Sequence, residues 1–365
     1  MNQRKTQTSL ELELTNTKKQ LAQTEKNLTD IKKSASYKLG RVITFPIRWT
    51  LGIPGLLKPI TSKIELFTNS NKKELINKGV IFIDKRAINN NIKNLPTLTQ
   101  GPGRETPRLI ISLTSFPERI DDISYNIYSL LNQTTTADKL ILWLAEEQFP
   151  DKEKCLPEKL LKLQKHGLTI KWCKDLKSYK KLLFSLKEFP NDIIVTADDD
   201  IFYPNNWLEL LYHSYLKSPE DIHCHRAHRV TLSENGDINS YNAWPKCVTQ
   251  SEASYMNFCT TGGGVLYPPN SLHSNVFNEE LLLELCPTTD DIWFWGMALL
   301  KGTKIKVIHN NISELIYINP ELEFGLTSGT TLFKTNKTQN DHQMENLANY
   351  FSDIKPTLQK WDNLP

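Results

Sequence analysis

Ile193-Ile194-Val195-Thr196-Ala197-Asp198-Asp199-Asp200-Ile201-Phe202-Tyr203 passes from a β-branched, apolar run straight into three consecutive carboxylates. Such a run has the character of a central parallel strand, and open α/β sheets gather their ligands outside the carboxyl ends of such strands. The three acids therefore fall where a ligand would sit. Packed carboxylates repel and raise one another's pKa unless a cation neutralises them, and hard Mg²⁺ or Mn²⁺ carrying a diphosphate is the expected one. The alternative is a turn whose acids cap the next helix, because Pro204-Asn205-Asn206-Trp207-Leu208 reads as a helix start. A cap uses one acid rather than three.

On the N-terminal side of this strand the pattern alternates. Strands are predicted at Leu109–Thr114, Leu140–Leu144 and Leu168–Trp172, and helices over 121–132, 157–165 and 178–188. Strand and helix alternating at this spacing predict an α/β domain with a mostly parallel sheet covered by helices, over residues 107–365.

The 365 residues allow one large domain with an appendage, and a charged fraction of 23% is ordinary for a globular protein. No apolar stretch approaches the roughly 20 residues needed to span a bilayer. The polar N-terminus has no signal-peptide core, and six scattered cysteines without CxxC pairing read as reduced thiols, so a cytoplasmic setting is expected.

A net charge of +3 conceals an asymmetry. Residues 1–60 hold eleven Lys and Arg against four Asp and Glu, a balance of +7 that leaves −4 for the rest. Within 1–35, Leu14, Leu21 and Leu28 recur every seven residues, and Leu10, Thr17, Thr24 and Ile31 fill the alternate seam. This predicts a coiled coil over 7–33, offering homo-oligomerisation, or a lone solvated helix. Residues 36–60 alternate bases with apolar and aromatic residues and are broken by Pro46, Pro54 and Pro59. They suit an anionic inner-leaflet membrane surface better than nucleic acid, the alternative being that they pack on the catalytic domain. Residues 61–106 read as a linker region with one short apolar piece, Val80–Ile83.

From 107 to about 350 the chain resembles bacterial glycosyltransferases of the GT-A fold, which is Rossmann-like, and most closely the family-2-like inverting enzymes of capsule and surface polysaccharide synthesis. Asp198-Asp199-Asp200 looks like the family's DxD motif, and Thr289-Asp290-Asp291-Ile292-Trp293-Phe294 like its later acidic base motif. The opening Leu113–Ile120 and the tail segment Ser36–Arg41, followed by Phe45-Pro46-Ile47-Arg48, fit the same pattern.

The resemblance implies a nucleotide-sugar donor, a glycan or lipid-linked acceptor and Mn²⁺ or Mg²⁺. A divalent ion bridging a diphosphate to Asp198 and Asp200 would stabilise the charge that develops on the leaving group. Asp200 is expected as the direct ligand, Asp198 on the ribose or a metal-bound water, and Asp199 in support. Asp290 and Asp291 are implied as the catalytic acid pair, with Asp291 the general base; the alternative is that Thr288, Thr289 and Asp290 cap the helix, a role that fits Asp290 better than Asp291. Thr114, Ser115 and Arg119 follow the first strand, where the family's nucleotide sits. The family's usual uracil-contacting Asp after the second strand is not evident, since Ala145-Glu146-Glu147 stands there.

Other residues are candidates on their chemistry. Lys180 or Lys181 is within reach of phosphate, or both form an ordinary charged helix face. Thr260–Tyr267, with three glycines, lets backbone approach a ligand closely. His223–Arg229 suits a strand with two unlike faces better than a zinc site, with Arg226 and His228 as contacts to acceptor or diphosphate. His342 in Asn340–Gln343 is a candidate extra metal ligand, or part of a surface helix cap. A metal-dependent nucleotidyl or phosphoryl transferase, and a catalytically silent scaffold of a synthase complex, are the rival functions.

Overall fold

The computed structural model describes residues 75–76, 79–95, 103–105, 107–249, 252–323 and 332–362. The chain divides into two units, residues 1–68 and 69–365, and everything below concerns the second. The coiled-coil segment 7–33 and the basic-aromatic segment 36–60 lie outside the described residues.

Six strands of the main sheet run one way and one runs against them. β1 (Leu109–Thr114), β2 (Lys139–Ala145), β3 (Leu168–Cys173) and β4 (Ile193–Thr196) pair in parallel. β5 (Ile222–Cys224) and β9 (Ile305–Val307) are also parallel, while β8 (Val265–Tyr267) lies antiparallel between β4 and β5. β6 (Ala227–Arg229) and β7 (Asn257–Cys259) form a separate antiparallel pair. The main order is β3-β2-β1-β4-β8-β5-β9.

Chain order runs outward from β1 to β3 and then returns to the other side of β1 at β4. That reversal is a topological switch point, and the crevice between the carboxyl ends of β1 and β4 is where such sheets take ligands. Every residue of β4 is fully buried, and β1 is buried up to its last residue, as a strand covered on both faces requires. The expected α/β class is the observed one.

In chain order the helices are α1 (Lys85–Ile92), α2 (Ile123–Leu131), α3 (Glu158–Lys162), α4 (Lys180–Glu188), α5 (Trp207–Tyr215), α6 (Glu279–Leu285), α7 (Asp290–Lys301), α8 (Pro320–Glu323), α9 (Leu332–Tyr350) and α10 (Ile354–Asp362). α4 packs on β1, β2 and β4, and α7 packs against β7, α9 and α10. α1 falls in the stretch expected to be a linker. Asp84 caps it by accepting from the backbone N–H groups of Arg86 and Ala87, and its Ile88 and Ile92 are buried with α2 as neighbour. No helix among the described residues is long and apolar enough to cross a membrane. All six cysteines are unpaired, consistent with the thiol reading.

Candidate active site

The site is built where β1 and β4 end. Parallel register pairs Ser112 with Thr196, so Ser115 comes level with Asp199, and the Ser115 hydroxyl donates to Asp199 Oδ2 at 2.5 Å. Arg119, on the turn leading to α2, forms ion pairs with Asp199 Oδ1 at 3.1 Å, with Asp200, and with Glu323 Oε1 at 3.1 Å. Glu323 arrives because segment 316–318 makes an isolated antiparallel bridge to the chain just after the acids: Phe202 N–H donates to Ile316 O and Ile318 N–H to Asp200 O. A pocket lined by Arg119, Asp199, Asp200, Asn319 and Glu323 opens here. Burial, the largest effect, and the charge of Asp200 hold both Asp199 and Glu323 above the usual carboxylate range, with Arg119 opposing.

Asp198 faces a different cation. Lys181 is only 4% exposed, and its ammonium donates to Asp198 Oδ1 at 2.6 Å and to Thr261 Oγ1 at 2.8 Å, while Asp290 Oδ2 lies 3.2 Å away. Burial works against this charge, but Asp198, Asp290 and Asp291 together raise the Lys181 pKa above its ordinary value. The Thr261 N–H donates to Asp291 Oδ1 at 3.2 Å. One buried ammonium and one threonine thus join two acid motifs that stand about ninety residues apart in sequence.

Asp291 is half-buried at the start of α7. Its pKa is pushed up to about 7, by burial first and by the charge of Asp290 second, with Lys181 opposing. Asp290 does not cap α7 as expected, and neither does the side chain of Thr289. Gln343 on α9 takes that role, its Oε1 accepting from the N–H groups of Thr288 and Thr289 at 3.0 and 3.1 Å. Asp290 and Asp291 are thereby free to face Lys181 and Thr261.

The glycine loop is moulded on its neighbours. Gly264 has φ +93°, and a Cβ there would fall 2.4 Å from the Trp207 indole nitrogen. Tyr203 ties this loop to the acids: its hydroxyl accepts from Asp198 N–H at 2.9 Å and donates to Gly262 O at 3.1 Å. The buried Asn126 on α2 donates to the carbonyls of Asp198 and Ile201 at 2.8 and 2.7 Å, fixing the acid turn from below the strand.

The geometry corrects several expectations. The acid triplet does not cap α5, whose N-cap is Asn206. Lys180 is buried but turned away from the acids, its ammonium 2.6 Å from Asp175 Oδ1, so neither lysine belongs to an exposed charged face. Thr114 spends its hydroxyl on Trp143 O at 2.8 Å. The stretch 223–229 is two short strands in different sheets rather than one. His223 and His225 are satisfied by Ser214, Ser218 and Trp207, with burial holding both in the neutral form. His342 is exposed on α9. Among the described residues no three His, Cys, Asp or Glu side chains converge in a way that would by itself hold a metal ion.

Sequence alone singles out neither Glu323 nor Asn126, and it reaches Thr261, Gln343 and Tyr203 only as members of the longer stretches Thr260–Tyr267, Asn340–Gln343 and Ile193–Tyr203, without their contacts. Asn126 leaves one trace, as an amide inside the helical stretch Ile123–Leu131.

No protein-family model matches the chain, and no curated protein matches it in sequence. Solved structures do resemble it in fold. The mannosyltransferase PcManGT from Pyrobaculum calidifontis, in complex with GDP-Man and Mn²⁺, is 14% identical over 74% of this chain and 78% of its own, with a TM-score of 0.36. S. aureus TarS 1–349 is 12% identical over 67% and 72%, with a TM-score of 0.35. A CMP:2-keto-3-deoxy-manno-octonic acid synthetase complexed with CTP is 12% identical over 60% and 95%, with a TM-score of 0.32. Likeness at this level carries no argument about what the present chain binds or does.

Proposed function

We propose that the chain is a metal-dependent glycosyltransferase that moves a sugar from a nucleotide-sugar donor to a glycan or lipid-linked acceptor, with inversion. The observation that carries this reading is the meeting of the two acid motifs at the switch point, Asp198 and Asp290 on the Lys181 ammonium and Asp291 on the Thr261 N–H.

An inverting transfer needs a base for the acceptor hydroxyl and positive charge for the departing diphosphate. Asp291, with its pKa near 7, suits the first role at neutral pH. Its Oδ1 is held by Thr261, which leaves Oδ2 to take the proton. Asp198 and Asp200 suit the second as metal ligands: they are hard donors whose side chains keep 28% and 23% of their exposure. Mg²⁺-like ions are typically held by one or two carboxylates plus substrate phosphates rather than by a full protein cage, so this donor set fits. A bound Mn²⁺ or Mg²⁺ would supply electrostatic stabilisation to the leaving diphosphate. Arg119 and Ser115 orient Asp199 beside it, and Lys181 holds Asp198 in place through its Oδ1.

The setting in capsule or surface polysaccharide synthesis, a peripheral position on the cytoplasmic face of the plasma membrane, and self-association through 7–33 rest on the sequence and belong to the same proposal. The test is a panel of nucleotide sugars with Mn²⁺ or Mg²⁺, read as nucleoside diphosphate release and repeated with Asp200→Ala. Release from one donor, lost in the variant, is expected. Release of pyrophosphate from a nucleoside triphosphate given with a sugar phosphate would instead assign nucleotidyl transfer, and no release or nucleotide binding by folded protein would favour a scaffold.

A further inference from the structure

Arg119 and Lys181 are consumed by carboxylates, whereas Arg226 is not. Arg226, half-buried just after β5, donates through Nε to Cys247 Sγ at 3.2 Å and through Nη1 to Thr260 Oγ1 at 3.2 Å. Neither acceptor is a carboxylate, and among the described residues no Asp or Glu forms an ion pair with it. A guanidinium carries five N–H donors, so three are left for something else.

The fold fixes Arg226 in this state. A Cβ on Gly263 would meet Arg226 Cβ at 2.7 Å, so only glycine lets the loop lie against it. Cys247 is held at φ +51°, a strained value for a non-glycine residue, while its N–H donates to His228 Nδ1 at 3.1 Å. Strain of this kind gathers at ligand sites.

Lys246 precedes Cys247. Its ammonium sits 3.3 Å from the centroid of the Tyr241 ring and 5.6 Å from that of Trp244, and it donates to Tyr241 O. Asp341 is committed to the loop itself, accepting from Ser240 Oγ and Tyr241 N at 2.6 Å each. Burial first, and then the charges of Arg226 and Lys246, push the neighbouring His228 down; burial also lowers Lys246, with Asp341 opposing and Arg226 adding to it. Arg226 holds Thr260 Oγ1 while the next residue, Thr261, donates its N–H to Asp291 Oδ1, so the guanidinium and the proposed base meet on one loop. Two like charges held together by a strained loop and a glycine contact are an anion site in waiting.

We propose that Arg226 and Lys246 form an oxyanion subsite beside Asp291, with Tyr241 and Trp244 as its aromatic wall, and that it receives a phosphate or carboxylate group carried by the acceptor. The acceptor class is thus anionic; this part rests on the transferase reading, whereas the anion site itself does not.

The test measures equilibrium binding to the full chain, without turnover. The probes are glycerol 3-phosphate, glucuronate and, with Mn²⁺, a set of nucleoside diphosphates, against wild type, Arg226→Met and Lys246→Met. Loss of one charge-assisted contact is expected to weaken at least one of the first two probes about tenfold, equivalent to about 1.4 kcal/mol. Nucleoside diphosphate affinity is expected to stay within about twofold. Absence of any wild-type affinity for both small anions overturns the site. Nucleoside diphosphate affinity that falls in the variants, alone or with the small anions, overturns its assignment to the acceptor and gives the pair to the donor. Lys246→Met changes an exposed loop residue, so it keeps the test open if Arg226→Met does not fold. A chain that binds the small anions through this pair yet releases no nucleoside diphosphate from any sugar nucleotide refutes the transferase reading alone.

Discussion

Replacing Lys181 by Met removes the cation that holds the two acid motifs together while keeping most of the stem volume. The ammonium is 4% exposed and its partner carboxylates on Asp290 and Asp198 are 10% and 28% exposed. Breaking a buried pair by deleting one partner costs about 3–5 kcal/mol, because the remaining charge is left uncompensated. Asp198 retains contact with water, which places the expected loss near the lower bound, about 3 kcal/mol at pH 8. In a domain of this size that lowers the melting temperature by roughly 6–12 °C. The loss should also depend on pH. Lys181 is the attraction that opposes the rise of the Asp291 pKa, so the variant holds that proton more tightly in the folded state than wild type does. A carboxyl whose folded pKa exceeds its unfolded value loses stability as pH rises from the unfolded carboxylate range, about 4, through the folded pKa. The deficit is therefore expected to be larger at pH 8 than at pH 5.5. Urea unfolding at both pH values, followed by the fluorescence of the buried Trp207, Trp293 and Trp295, measures it. A deficit below about 1 kcal/mol, or one equal at the two pH values, would refute the view of Lys181 as the buried counter-ion.

Asp291→Asn is expected to lower nucleoside diphosphate release about 10²–10⁴-fold with folding intact, measured by steady-state kinetics. In wild type the rate should rise with pH through about 7 as Asp291 loses its proton, and a profile flat from pH 6 to 8 would remove it as the base. Chelating divalent ions should abolish release, with Mn²⁺ or Mg²⁺ restoring it; activity unchanged in the chelator would remove the metal from the proposal. Gly264→Ala forces a side chain onto a positive φ and against the Trp207 indole, so a loss of about 2–4 kcal/mol is expected by thermal unfolding. Gln343→Ala uncaps α7 and should destabilise by about 1 kcal/mol while shifting the pH profile, since Asp290 and Asp291 lose their fixed position.

The amino-acid order by itself was enough for β1, β2 and β4, because a strand buried on both faces must be a nearly unbroken apolar run, for the edge strand β3 through its alternation of apolar and polar residues, and for the acid triplet that ends β4. It also sufficed for the start of α7 at the second acid pair. It did not separate Lys180 from Lys181: adjacent residues on a helix point about 100° apart, and which one meets Asp198 depends on how α4 sits on the sheet. Nor did it yield Gln343 as the cap of α7, or Glu323 as the third carboxylate on Arg119, since each arrives from an element remote in sequence and brought close by packing alone. Local periodicity determined the strands and their ends. Which charges face one another across the crevice was decided by the tertiary structure, because burial leaves each carboxylate and ammonium stable only where another part of the chain supplies its counter-charge.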